Sequence, residues 1–425
     1  MSARDRLIGW LDGERDRQLD FLRAFTRIDT CNPPGDTTEA ADLFRRFLAD
    51  EGISHRTEAP QAATPNLISS FTGAGDSTGA GRHLVLNGHL DVFPIGDATR
   101  WSRSPLSGDI VDGRVHGRGT VDMKCGTTAL LFVHAYLHRL RDALPGRVTL
   151  TVVSDEETGG RWGSDWLVNN CAAEVLGDCV LNTEPSGVQT VRFGEKSIYW
   201  LRFRIAVPGG HSAYPHTSPS ANKIAADLIK DLQAIEALQP DEPDAVRRTL
   251  ERPDVQAAID QSLGAGAAGV VRRVSVNIGV MQGGVKINML PAECVVDVDF
   301  RLPVGLSRAA LKQAVLSIVA RHPAVTCEEL LAGGPEANFS DPTHEMVGHL
   351  VRNAGERLGY EPKPIVSLGG TDTRFWRVAG VPAFVYGCSP AGMGGIDESV
   401  SIEEFHHVLR VHALSAWDYL TAVRA

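Results

Sequence analysis

Residues 148–160, VTLTVVSDEETGG, are the stretch from which the fold can be read. Val148 to Val153 is rich in β-branched side chains and carries no charge, the composition of a buried strand. Asp155, Glu156 and Glu157 follow at its end, and Gly159-Gly160 turns the chain away. Neighbouring side chains at a strand end point in different directions. One acid can therefore grip a cation while the next faces a substrate.

Three other strand ends carry similar residues. LNGHLDVFP (86–94) puts His89 and Asp91 two positions apart, hence on one face, with Asp91 expected to accept from the His89 ring N–H. GRGTVDMKCG (117–126) offers Asp122 between glycines that permit close backbone approach. LNTEPSG (181–187) presents Glu184 before Pro185, which favours extended geometry at the acid. One imidazole and several carboxylates at the C-terminal ends of candidate strands suit a divalent metal.

Helical and strand-like segments alternate around these ends, which points to an α/β sheet. Expected helices cover 4–28, 38–51, 127–141 and 162–172, and expected strands cover 66–71, 83–88, 148–153 and 178–182, with a Gly/Ser/Thr-rich turn at 72–82. The pattern changes near residue 195. Strands at 197–207, 272–281, 292–301 and 324–331 and helices at 219–236 and 307–321 form a βαββαβ series, with 239–270 read as an irregular insertion. The first pattern then resumes with helices at 343–358 and 402–422 and strands at 364–367 and 381–386. The expectation is one α/β domain from 1–194 and 334–425, with a central mixed sheet flanked by helices. A smaller α+β domain, 195–333, is inserted into it.

A chain of 425 residues, 43% hydrophobic, can bury a large core. Its formal net charge of −10 and lack of any Lys/Arg-rich run argue against nucleic-acid binding. The seven cysteines are scattered without a C-x-x-C, as expected of reduced cytosolic thiols. Neither a secretory signal at the start nor an apolar stretch long enough to span a membrane is read, so a cytoplasmic protein with a small-molecule substrate is expected.

The segments GHLDVFP, GRGTVDMKCG, SDEETGG, EPSG, PGGHSAYPH, GGVKINMLPAE and GGTDTRFW resemble one metallohydrolase superfamily over about residues 60–405. It contains acetylornithine deacetylase, succinyl-diaminopimelate desuccinylase, aminoacylase and carboxypeptidase G. The resemblance implies that His89 and Glu184 bind one metal, that Asp122 bridges to a second held also by Glu157, and that Glu156 is the general base. Asp91 is expected beside it in the catalytic set. The inserted domain resembles a lid and dimerisation domain, implying a homodimer in which His211 reaches the partner's active site.

One departure bears on the metal count. The family usually supplies another His three residues before an Asp/Asn-Glu pair, but in AGMGGIDESVSIEEF (391–405) that position is Gly394, ahead of Asp397-Glu398. Without that ligand the second site, left with Asp122 and Glu157, is expected to be weak or empty. One cation held by His89, Asp122 and Glu184 is expected, manganese or zinc, with cobalt or iron as alternatives. His406, His407 and His412 are assigned surface or core roles.

A divalent ion makes hydroxide available at neutral pH, and Glu156 would take the proton and pass it to a departing nitrogen. The expected reaction is hydrolysis of a C–N bond in a carboxylate-bearing substrate, with Arg374, Arg301, Asn288 and His211 as candidate binding residues. Loss of a second Lewis acid favours a substrate that spreads negative charge over a ring. An electron-poor aromatic amine of the 5-nitroanthranilate kind, losing ammonia, is such a substrate. An ordinary N-acyl-amino-acid deacylase stays open as an alternative, as does a non-catalytic binding protein.

Overall fold

Strand Arg147–Val153 is buried at six of its seven positions, from Val148 onward, and lies inside a mixed sheet. The computed structural model describes residues 1–74, 81–330 and 336–422, so most of the expected turn at 72–82 and the last residue of the expected strand 324–331 lie outside the described residues. The chain divides into two compact units. One comprises Met1–Phe193, Ser340–Ile365 and Thr371–Ala425, and the other Gly194–Phe339 with Val366–Gly370.

In the first unit the strand order begins Arg56–Glu58, Asn66–Thr72, Arg147–Val153, His83–His89, Cys179–Asn182, Ala383–Val385. His83–His89 runs parallel to Arg147–Val153 and to Cys179–Asn182, and Ala383–Val385 is parallel to the latter. Four parallel strands thus deliver their C-terminal ends to one edge, where ligands of open α/β sheets bind. Helix Cys125–Arg139 is buried continuously from Cys125 to Leu137 and lies against Ile402–Thr421. That all-round burial matches its nearly uniform apolar composition.

The second unit is a four-stranded antiparallel sheet, in the order Ser275–Gly283, Glu293–Leu302, Ser197–Ala206, Val325–Glu329. Along Ser197–Ala206, Tyr199, Leu201, Phe203 and Ile205 are buried while Trp200, Arg204 and Ala206 are exposed, the alternation of a sheet with one wet face. Helices Ala221–Leu232 and Arg308–Val319 pack on the apolar face through Leu228, Leu232, Leu311 and Val315.

Two expectations need correction. The single helix expected at 4–28 is two, Ala3–Gly13 and Arg15–Thr26. The break falls at Glu14, whose carboxylate accepts from Arg139, Arg17 and Tyr136. The irregular insertion expected at 239–270 instead holds helices Asp244–Leu250, Pro253–Leu263 and Ala267–Val270. Pro253 sits at the first helical position, where its missing N–H is harmless, and Gly264 ends the helix at φ +104°. Among the described residues no helix is long and apolar enough to cross a membrane.

Candidate metal centre

His89 closes its strand and is 1% exposed. Asp122 lies in the turn Thr120–Lys124 that feeds helix Cys125–Arg139. Glu184 stands two residues past strand Cys179–Asn182, its N–H donating to Asn182 Oδ1 at 2.7 Å. His89 Nε2 comes within 3.3 Å of Asp122 Oδ1 and 3.2 Å of Glu184 Oε1. One potential ligand atom from each of the three residues lies within 4.8 Å of the others. All three atoms are buried and lack a hydrogen-bond partner. Buried polar atoms are rarely left unpaired. An imidazole nitrogen and two carboxylate oxygens turned onto one point fit a divalent cation.

The electrostatics agree. Burial and the neighbouring Asp122 push the Glu184 carboxyl up to about 7. Burial, then Glu184 and Asp372, holds Glu156 well above the carboxylate range. Burial, Asp122 and Glu156 push Glu157 up to about 11. Burial alone would lower His89, but Asp122 and Glu184 raise it well above an ordinary imidazole. So many acids in one dry place repel each other until a cation, or shared protons, offsets them.

Asp91 does not act as the sequence implied. His89 Nδ1 is 2.8 Å from the main-chain carbonyl of Asp91, while the Asp91 carboxylate lies 3.6 Å away. That carboxylate accepts instead from the backbone N–H groups of Glu156 (3.2 Å) and Glu157 (3.0 Å). The two glutamates occupy a short 3₁₀ turn, Glu156–Thr158, entered through Asp155 at φ +81°. Asp155 in turn accepts from Trp162 N–H at 2.9 Å and from the Thr158 hydroxyl. Glu157 Oε1 is also buried without a partner, yet Glu157 does not belong to the three-residue donor group.

Arg374 approaches Glu156 Oε1 at 3.4 Å and donates to the Gly159 carbonyl at 2.9 Å. In the second unit, the short strands Gly210–His211 and Met289–Leu290 pair, and just beyond them Ser212 N–H donates to the Asn288 carbonyl at 3.1 Å. Arg301 Nε donates to Asp299 on its own strand at 3.0 Å. His406, His407 and His412 are core residues, placed beside Gln18, the Tyr386 hydroxyl and the Tyr386 carbonyl.

Two acids were missed by the sequence reading. Asp372, 1% exposed, accepts from Ser164 Oγ at 2.8 Å, and burial pushes it up to about 6. Its only sequence signal was another acid beside a Gly-Gly turn. Glu398 accepts from the N–H groups of Val121 (2.9 Å) and Asp122 (3.3 Å) and pairs with buried Arg118. It holds the backbone that carries the Asp122 donor. Glu398→Ala would strand the Arg118 cation and two amides, so a loss of about 3–5 kcal/mol is expected in denaturant unfolding. Cation affinity should fall roughly 10–100-fold in titration of the same variant. Wild-type values for both would rule the clamp out.

At position 394 the backbone is at φ +67°, and a Cβ there would lie 3.3 Å from Phe93 Cδ2. A side chain there would press on that aromatic ring.

Residues 85–418 match the family model described as peptidase family M20/M25/M40. A succinyl-diaminopimelate desuccinylase of Cereibacter sphaeroides is 28% identical over 389 residues, covering 89% of this chain and 93% of that one. Among solved structures, an M20 family metallo-carboxypeptidase from Sulfolobus solfataricus superposes with a TM-score of 0.76 at 16% identity, covering 95% of this chain and 99% of that one. A protein of Bacillus subtilis, described as a dinuclear metal-binding peptidase from the M20 family, superposes with a TM-score of 0.60 at 16% identity, over 97% of this chain and all of that one.

Proposed function

The chain belongs to peptidase family M20/M25/M40, metal-dependent hydrolases of amide-type bonds, and from that premise we propose that it hydrolyses a C–N bond using a single divalent cation. The observation carrying this reading is the convergence of three partnerless buried donors, His89, Asp122 and Glu184, with Glu156 beside them. Gly394 brings no donor to a second position, in contrast to the dinuclear description of the Bacillus subtilis neighbour.

In this reading His89 Nε2, Asp122 Oδ1 and Glu184 Oε1 hold the cation. When bound, it supplies Lewis acidity that makes water a competent nucleophile near neutral pH. Manganese or zinc suits a donor set of two oxygens and one nitrogen. Glu156 is not consumed as a donor, so its carboxylate takes the proton from water as the new C–O bond forms. It returns that proton to the nitrogen as the C–N bond breaks. Arg374, in contact with Glu156, keeps the carboxylate in place and lends positive charge for a substrate carboxylate.

The favoured substrate is an electron-poor aromatic amine with a carboxylate, of the 5-nitroanthranilate kind, releasing ammonia. Amide hydrolysis gathers charge on one carbonyl oxygen, where a second electrophile is most useful. An electron-withdrawing ring disperses that charge. Phe93, packed on Gly394 and 39% exposed, offers an aromatic surface for such a ring. The second reading, an N-acyl-amino-acid deacylase, is favoured by the likeness to a desuccinylase over 89% of the chain. A homodimer through the second unit fits the exposed Val280 and Met281 on strand Ser275–Gly283, and a cytoplasmic setting fits the free cysteines.

Elemental analysis of purified protein, with ammonia release from aminobenzoates assayed against acid release from acylated amino acids, tests the reading. One tightly bound cation per chain with ammonia release is expected. Two tight cations with acid release would replace it by the deacylase.

A further inference from the structure

The segment Cys31-Asn32-Pro33-Pro34-Gly35 lies between helices Arg15–Thr26 and Thr38–Asp50. Its asparagine is 6% exposed. Asn32 Nδ2 donates to Asp91 Oδ2 at 2.9 Å and to Thr158 Oγ1 at 3.1 Å. Asp91 is the acceptor for the amides of Glu156 and Glu157, and Thr158 closes the same turn. One side-chain NH₂ group thus joins the acid beneath the turn to the hydroxyl at its end.

The placement of Asn32 is itself built. Its N–H donates to the Val92 carbonyl at 2.8 Å, and Val92 N–H donates back to Thr30 at 3.0 Å, tying the segment alongside the strand end that bears His89. Gly35, at φ +87°, comes so close that a Cβ there would lie 2.8 Å from Asn32 Oδ1. A residue with a side chain at 35 would push the amide out of register. The turn it secures starts at Asp155, φ +81°, a conformation that non-glycine residues seldom adopt. The turn therefore depends on its hydrogen bonds, not on local preference.

We infer that Asn32 is a positioning residue whose side-chain NH₂ clasps Asp91 and Thr158 and thereby sets the place of Glu156. Hydrogen bonds to an ionised carboxylate are the stronger kind. Losing this one leaves buried Asp91 free to turn away from the glutamate amides, and a shift of about 1 Å in a proton-transferring group costs on the order of 100-fold in rate. The inference rests on the reading of Glu156 as that group. It adds a residue from outside the stretch 85–418 that matches the family model.

The test compares Asn32→Ala with Asn32→Asp in the cation-loaded protein. Aspartate keeps the size and the Oδ1 oxygen of the 31–35 turn but, when ionised, has no hydrogen to donate. Both variants are expected to lose roughly 10–100-fold in kcat, with KM held within about twofold and cation content per chain unchanged. Hydrogen exchange at the Glu156 and Glu157 amides should accelerate about tenfold or more in both. Wild-type kcat and exchange in Asn32→Ala, which has nothing to donate whatever its surroundings, would overturn the inference. So would a loss of kcat that disappears when cation lost from the variant is restored. If the wild-type protein turns over nothing in the substrate panel, the functional proposal fails, and amide exchange alone still decides whether Asn32 holds the turn.

Discussion

Glu156→Gln is expected to keep one cation per chain and to lower turnover by about 10²–10⁴-fold, the usual contribution of a positioned acid–base group. The substitution changes one oxygen to an amide nitrogen and leaves the donors His89, Asp122 and Glu184 in place. The backbone N–H of residue 156 can still reach Asp91, and the amide oxygen can still receive Arg374. Binding geometry is thus preserved while proton transfer is removed. The fold should not suffer, because the variant takes one acid out of a cluster in which burial and repulsion already push Glu156 upward. Stopped-time product assays and elemental analysis on the same preparation give the answer. Undiminished turnover at full cation occupancy would remove Glu156 from the chemistry, and a fall in bound cation equal to the fall in rate would make it a ligand instead.

His89 and Glu184 were legible in the sequence because each stands at or just past the end of a strand, and a strand declares itself locally. Asp122, expected at a strand end too, lies instead in the turn Thr120–Lys124 at the start of a helix. HLVLNGH and RVTLTVV are apolar or β-branched runs that end in chemistry, and the structure makes them neighbouring parallel strands. What escaped depends on long-range partners. The Asn32–Asp91 bond spans 59 residues and the Glu398–Val121 bond 277, and neither asparagine nor glutamate advertises its acceptor or donor in advance. The orientation of Asp91 escaped for a related reason. Two residues from His89, it was expected to serve the ring, but the positive φ of Asp155 swings the glutamate amides over its carboxylate. Pairing by spacing assumes the nearest partner wins, whereas backbone N–H groups of a buried turn must find acceptors too. The break at Glu14 is the same lesson in the helical layer. The apolar positions on either side, up to Leu11 and again from Leu19, were joined across a polar run, and the interruption coincides with bonds from Arg139 and Tyr136 on another helix.

Acidification should unfold the protein through histidines that have nothing to do with catalysis. His134 and His412 are fully buried; His134 faces Ser69 Oγ at 2.9 Å and His412 the Tyr386 carbonyl at 2.7 Å. Burial, aided by His138 near the first and His407 near the second, lowers them from 6.5 to about 3 and about 4. Both are neutral in the native state. Above pH 6.5 the unfolded chain is neutral there as well, and neither histidine makes stability depend on pH. Below it, the unfolded chain binds protons that the native state refuses, so stability falls with pH until the native values are reached. At pH 4.5 the two together cost roughly 4–6 kcal/mol, a large part of the 5–15 kcal/mol that holds a typical domain. Urea midpoints between pH 7.5 and 4.5 should decline steeply. His412→Gln can still donate to the Tyr386 carbonyl but cannot titrate, so its midpoints should start lower, for lost packing, and decline less. The carboxylates of the metal centre titrate alike in both chains and cancel in the difference between the two slopes. Parallel slopes would mean that His412 is not held neutral by burial.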